Sequence, residues 1–273
     1  MLKKNLIAIG DIHGMADSLE ILLDCLTAEY SSTDSQFVFL GDLIDRGPDS
    51  QAAVSMVSDI LVRYPESVLI LGNHDCYWRD FLRSPLQPND LERWAANGGI
   101  DTMDSYGFEL PSDADYDEQK RVADHLKKVR PEDHALFESA VSHFVTEKHF
   151  FVHAGVDPAR SLSDQSERDL MWIRDRFITY DGPFEKMIVH GHSITPSRMP
   201  EVHSNRIALD SGSYGTGRIS AGIFIADQLT GFVCAEVDRE GSRIRRFDQQ
   251  MREVQWRSVT NNHDLQSLGS PTF

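Results

Sequence analysis

Cysteine is scarce: 273 residues hold only Cys25, Cys76 and Cys234, an odd number with no C-x-x-C spacing. That pattern indicates neither a disulfide framework nor a thiolate zinc site. Cys76 reads as a small buried hydrophobe. Long apolar runs are missing too, none approaching the roughly 20 residues that cross a bilayer. The opening MLKKNLIAIGDIHG carries two lysines before a few apolar residues. It is too short for a secretion signal and runs into charged residues where a cleavage site would need small ones. A cytoplasmic address with no membrane partner is the expectation. Positive charge is also in deficit: 27 Lys and Arg against 43 Asp and Glu leave a formal charge of −16. Broad nucleic-acid binding wants a basic surface, so no nucleic-acid partner is expected. A phosphorylated substrate stays open, because metals and arginines can invert the field at one site. Internal repeats and low-complexity linkers are absent, and the length suits one α/β domain.

Short apolar runs are present, with helical patterns between them. Leu6 to Ile9, Phe37 to Leu40, Val68 to Leu71, Phe150 to Val152 and Met187 to Val189 each read as a buried strand. Leu19, Leu22, Leu23 and Leu26 form the stripe of an amphipathic helix. Pro48 and Asp49 open a second helix, with Val54, Val57 and Ile60 on one face. This β-α-β-α-β order predicts a largely parallel sheet covered by helices. From about 76 to 148 the pattern is a mostly helical insertion, with Tyr77, Trp78, Trp94 and Tyr106 read first as its core. From Arg206 onward alternation predicts antiparallel strands, two of them joined by a turn at Asp227 to Gly231. The domain is expected over 1–250, and 251–273 reads as a polar tail.

All five apolar runs end in residues of one chemical kind. Gly-Asp-Ile-His-Gly (Asp11, His13) follows the first and Gly-Asp-Leu-Ile-Asp-Arg-Gly (Asp42, Asp45, Arg46) the second. Gly-Asn-His-Asp (Asn73, His74, Asp75), His153-Ala-Gly and His190-Gly-His192 follow the other three. The carboxyl ends of parallel strands share one edge, which is where open α/β folds place their sites. Five segments therefore deliver carboxylates, imidazoles and an amide to one crevice. Oxygen and imidazole ligands without thiolate suit manganese, iron or zinc before copper. Asp42, with two carboxylate oxygens, is the natural bridge between two cations about 3.5–4 Å apart. Any one motif alone has a bland reading as a strand–turn–helix junction, a core histidine or a local Asp45–Arg46 pair. Their co-occurrence is what points to a metal site, and His190 is read as structural.

The ordered set GDIHG, GDLIDRG, GNHD, HAG and GHS resembles the phosphoprotein phosphatase branch of the calcineurin-like metallophosphoesterases, from Gly10 to about Ser193 and more loosely to Gly217. The resemblance implies an αββα sandwich of two mixed sheets flanked by helices. It implies one metal on Asp11, His13 and Asp42, and a second on Asp42, Asn73, His153 and His192. Arg46 and Arg174, with Asn73 and His74, would bind the phosphate. His74, oriented by Asp45, would protonate the leaving oxygen while a metal-bound hydroxide attacks directly. The bland alternative for Arg174 is an ion pair with Asp175. GNHD in place of GNHE, Leu71 in place of an arginine, HAG in place of HGG, and Asp210-Ser-Gly-Ser-Tyr put the chain on the bacterial and phage side.

The leading expectation is a serine/threonine protein phosphatase, active also on phosphotyrosine and small phosphoesters, with two divalent cations, manganese first. The alternative is a symmetrical bis(5'-nucleosyl)-tetraphosphatase cleaving a phosphoanhydride, which the acidic composition disfavours and Asn97-Gly-Gly does not separate. The alternative of another class is an inactive binding protein on a phosphatase fold, and the filled ligand positions speak against it.

Overall fold

Successive residues of the N-terminal strands enter two different cores. In β1 (Asn5–Ile9) and β2 (Ser35–Phe39), Ile7, Ile9, Phe37 and Phe39 point to one side, and Leu6, Ala8 and Val38 to the other. A strand places alternate side chains on opposite faces, so both faces of this sheet are covered. The computed structural model describes residues 5–254, so nearly all of the expected tail lies outside the described residues.

The first sheet has six strands in the order β11-β10-β9-β1-β2-β3. β1, β2 and β3 (Val68–Leu69) run parallel. β9 (Arg218–Ile225), β10 (Gln228–Asp238) and β11 (Gly241–Asp248) continue it antiparallel. The second sheet, β4-β5-β6-β8-β7, has a parallel centre of β5 (His149–Val152), β6 (Met187–His190) and β8 (Arg206–Ala208). Its antiparallel edges are β4 (His143–Val145) and β7 (Glu201–Val202). Between the sheets, Leu40, Ile70 and Phe224 meet Phe151, Val189 and Ile207. The five apolar runs thus divide three and two between two mixed sheets, the sandwich that the family resemblance implies.

Helix α1 (Ala16–Glu29) buries its Leu19, Leu22, Leu23 and Leu26 stripe on the outer face of the first sheet. Beside it, α2 (Ser50–Arg63) starts where Asp49 accepts a hydrogen bond from the Ala52 N–H at 2.8 Å, satisfying an otherwise orphaned donor. The turn between β9 and β10 is tighter than the sequence suggested. Ala226 and Asp227 both adopt left-handed φ (49° and 58°), as a two-residue hairpin demands, and the register shift at Leu229/Gly231 falls inside β10.

The helical segment comprises α3 (Asn73–Arg83), α4 (Pro88–Trp94), α5 (Ile100–Ser105), α6 (Tyr116–Val129) and α7 (Pro131–Ser139). It ends sooner than position 148, because Val141 bridges back to Ile70 and β4 already belongs to the second sheet. Trp78, Trp94 and Tyr106 lie in the same core as α1 and α2, so these helices share the main hydrophobic core. A buried polar knot ties them down: Asp133 accepts from Tyr106 Oη (2.8 Å) and from Arg130 Nε and Nη2 (3.1 and 3.0 Å), while Arg130 Nη2 also reaches Ser55 of α2 (2.7 Å). Asp133→Ala leaves the Tyr106 hydroxyl unpaired and takes from Arg130 its buried carboxylate, leaving it Ser55 and the exposed Glu132. We expect a loss of about 3 kcal/mol in urea unfolding, the low end for a broken buried pair, because Arg130 keeps 25% of its side chain in water.

Candidate active site

Three turns from the first sheet and two from the second meet at one edge. Gly191 N donates to His153 O (2.8 Å), and His192 N donates to both Asp11 oxygens at 3.0 and 3.1 Å. His74 N donates to Asp42 Oδ1 (2.9 Å). Asp11, His13, Asp42, Asn73, His153 and His192 are all buried there, with Asp45 and His74 beside them. At Gly191, any Cβ would sit 2.1 Å from Asp11 Oδ1, so only glycine lets the two sheets' loops approach this closely.

The donor and acceptor pattern tests whether cations fit. His13 Nδ1 lies 2.8 Å from the Ile44 carbonyl and His153 Nδ1 lies 2.7 Å from that of Leu40. A carbonyl only accepts, so each Nδ1 carries the proton. Burial, the dominant cause, pushes the pKa of His13 down to about 3 and also lowers those of His153 and His192. Burial thus favours the neutral form of these rings, and the Nδ1 protons leave the Nε2 atoms of His13 and His153 as acceptors. His13 Nε2 faces Asp42 Oδ2 at 3.6 Å and Asp11 Oδ2 at 4.0 Å. His153 Nε2 faces Asn73 Oδ1 at 3.0 Å and Asp42 Oδ2 at 3.5 Å. His192 Nε2 is buried with no hydrogen-bond partner. Lone pairs that face one another without a proton between them repel, and a divalent cation relieves that repulsion. The set Asp42, His153 and His192, and the set His13, Asp42 and His74, each bring their ligand atoms within 4.8 Å of one another. The residues fit two cations sharing Asp42.

His74 differs from the other three rings. Burial opposes its charge, but Asp42 and the Asp45 hydrogen bond outweigh that and raise its pKa. Its Nδ1 sits 2.7 Å from Asp45 Oδ2. Burial lowers the pKa of three of the imidazoles, whereas Asp42 and Asp45 raise that of the fourth. That division is what separate ligand and acid roles require.

Asp45 is fixed by Trp94, which sequence reasoning placed in a core, and by Thr102, which it did not single out. Trp94 Nε1 donates to both Asp45 oxygens at 3.1 Å, and Thr102 Oγ1 donates to Oδ1 at 2.6 Å. The backbone N–H of Asp45 donates to Thr102 Oγ1 (2.9 Å) and Ser50 Oγ (3.1 Å). No local pattern links positions 45, 94 and 102, so only packing reveals them. Trp94→Phe keeps the ring but removes both bonds, and we expect kcat to fall about tenfold with KM little changed, as misorientation of a partner predicts. An unchanged kcat would show that Asp45 holds His74 unaided.

Asp75, quoted within GNHD without a role, accepts from the N–H groups of Asp42, Leu43 and Gly72 at 2.8, 2.9 and 3.1 Å, joining the second and third loops. Asp210 is buried close enough to Asp11 to raise its pKa, after burial itself. Arg46 stacks over the Tyr214 ring (4.7 Å) and donates to His13 Nε2 at 2.9 Å. The kinked segment Ala95–Gly99 between α4 and α5 passes its backbone; a Cβ on Gly98 (φ 107°) would lie 2.3 Å from Arg46 N. Arg174 is exposed, and among the described residues it forms neither the Asp175 pair nor any other. Its charge contributes to lowering the pKa values of His153 and His192.

Backbone strain concentrates here. His13, Asp42, Asp45, Arg46 and His192 all take left-handed φ, between 49° and 73°. Each such non-glycine residue costs of order 1–3 kcal/mol and persists only where its surroundings hold it.

Two mixed sheets carrying a shared carboxylate, paired imidazole sets and an arginine define a metallophosphoesterase. The chain belongs to the calcineurin-like phosphoesterase family, whose model matches residues 4–211. It is 27% identical over 237 residues to the asymmetrical bis(5'-nucleosyl)-tetraphosphatase PrpE of Halalkalibacterium halodurans, covering 78% of this chain and 87% of that one. It is 40% identical to the symmetrical bis(5'-nucleosyl)-tetraphosphatase of Legionella pneumophila, over 70 residues that make up 26% of this chain and 24% of that protein. Among solved structures, a candidate diadenosine tetraphosphatase superposes with TM-score 0.55 at 21% identity, covering 85% and 94% of the two chains. A cold-active protein-tyrosine phosphatase of a psychrophilic Shewanella does so with TM-score 0.51 at 14% identity, covering 93% and 80%. These likenesses show the fold. Among the described residues no helix is long and apolar enough to cross a membrane.

Proposed function

We propose that this chain hydrolyses dinucleoside polyphosphates at the Asp42-centred site, in preference to phosphoproteins. The observation that carries phosphate hydrolysis is the clustering around Asp42 of two sets of ligand atoms, each within 4.8 Å of one another, beside the 2.7 Å contact of His74 Nδ1 with Asp45. The choice of substrate reverses the expectation from sequence. It is supported by the relative matched over 78% of this chain, which is named as a dinucleoside tetraphosphatase. The protein-phosphatase likeness stands at 14% identity and bears on fold only.

Asp11, His13 and Asp42 would hold one divalent cation, and Asp42, Asn73, His153 and His192 the second. Bound there, the cations supply a water acidic enough to attack at neutral pH and neutralise charge on the phosphoryl group. Arg46 and Arg174 present planar forks to the phosphate oxygens. Arg46 is poised by Tyr214 behind it, and Arg174 has no competing partner among the described residues. His74 delivers its Nε2 proton to the leaving oxygen, and Asp45, fixed by Trp94 and Thr102, keeps that nitrogen aimed.

The test is kcat/KM on diadenosine and diguanosine tetraphosphates and on a phosphoserine peptide, using metal-stripped protein with manganese restored. The reading requires at least one dinucleotide to exceed the peptide. A larger value for the peptide overturns it and restores the protein-phosphatase reading.

A further inference from the structure

Beside the metal ligands, a cavity of about 220 Å³ opens along α3. Asn73, Tyr77 and Asp80 line one wall at helical spacing, with Cys76 between them, and Asn73 Oδ1 is the atom 3.0 Å from His153 Nε2. At 1.5 Å rise per residue the wall runs about 10 Å from the metal side to Asp80. Asp90 of α4 stands on the opposite wall, with Trp172 at the end of α8 (Glu167–Trp172). Trp172 lies two residues before Arg174, so one segment supplies both an aromatic and a phosphate-binding guanidinium.

We propose that this cavity is a nucleobase pocket that selects guanine over adenine, an inference resting on the dinucleotide reading above. Its mouth is aromatic. Tyr77 and Trp172 meet edge to face with centroids 6.2 Å apart, and Trp172 stays 41% exposed, an unusual state for a tryptophan next to a catalytic centre. A base stacks on such a face whatever its identity. The far end is acidic and discriminates. Asp80 already accepts from Arg79 Nε and Nη2 (3.2 and 3.1 Å) and from the Cys76 thiol (3.5 Å). Asp90 has one long contact, to Arg93 at 3.5 Å, and keeps acceptor capacity toward the cavity. Guanine offers N1–H and N2–H₂ side by side, two donors matched to the two oxygens of one carboxylate. Adenine sets the N1 lone pair beside its amino group, and a carboxylate repels that lone pair.

The experiment compares kcat/KM for diguanosine and diadenosine tetraphosphate with the full-length, manganese-loaded protein. We expect guanine to be favoured about tenfold, within the discrimination of one bidentate pair. Asp90→Asn should collapse or reverse the ratio, because an amide pairs with adenine through its donor and acceptor. Asp90 is 47% exposed, so the substitution leaves the fold intact. Trp172→Ala should raise KM for both substrates about tenfold without moving the ratio. Equal rates or adenine preference in the wild type, or a ratio that Asp90→Asn leaves unmoved, overturns the pocket while the dinucleotide reading stands. Turnover of a lysine-flanked phosphopeptide with neither dinucleotide cleaved overturns both, assigning the acidic end to a basic side chain.

Discussion

Asp42→Asn is expected to empty the site of both cations and to lower turnover roughly 10⁴-fold, since several kcal/mol of transition-state charge stabilisation depend on them. The fold should survive, because an asparagine Oδ1 still accepts the His74 N–H that Asp42 accepts at 2.9 Å. What changes is the second oxygen, which faces His13 Nε2 at 3.6 Å and His153 Nε2 at 3.5 Å. An amide NH₂ in that place turns a donor toward the His153 lone pair, while that of His13 already has the Arg46 donor at 2.9 Å, so the cluster is relieved without a cation. The substitution also removes one of the buried carboxylates that raise the pKa of Asp11. Metal-free variant should therefore melt no lower than metal-free wild type. The rise in melting temperature that manganese gives the wild type, a linkage effect of binding to the native state, should vanish. Metal analysis reads this without an activity assay, and a variant that retained two equivalents would remove Asp42 from the bridging position. His192→Ala is expected to lose metal on its own side, since its Nε2 has no other partner.

His74→Asn should leave metal content intact and act on rate alone, with a size that depends on the leaving group. General acid catalysis is worth about 10²–10⁴-fold. A nucleotide phosphate leaves as a stabilised anion and needs little protonation, whereas a serine alkoxide needs nearly a full proton. We therefore expect a loss near 10²-fold on a dinucleoside tetraphosphate and near 10⁴-fold on an alkyl phosphate. Equal losses on both would deny His74 the acid role. An empty site in this variant would move His74 among the ligands, where its proximity to His13 and Asp42 also allows it to stand. Asparagine is the suitable replacement because it keeps a hydrogen bond toward Asp45, whose carboxylate Trp94 and Thr102 hold in place.

Much of this was legible in the chain itself. Apolar runs of four residues ending in Gly-Asp or Gly-Asn announce strand ends with metal-type side chains, because a buried strand and a tight polar turn each need a distinct local composition. The leucine stripe of α1 and the Asp49 cap of α2 are local patterns and came through unchanged. The division into two sheets came through only by the family resemblance of the motifs, because β1 to β3 and β5 to β6 look alike one strand at a time. Trp94 read as core, and Thr102 drew no reading, for the same reason: both are buried, and their polar bonds to Asp45 are made only inward.

The sequence by itself determined which side chains are available to the site and the order in which strands present them. Periodicity and turn chemistry act over a few residues, and those are written locally. Tertiary structure decided which lone pairs face one another across two sheets and which imidazole is paired with Asp45. It also decided that five of the site's residues are held in left-handed backbone. Such proximities arise between residues 30 to 180 positions apart. Desolvation and strain of this kind exist only once packing has excluded water and fixed the loops.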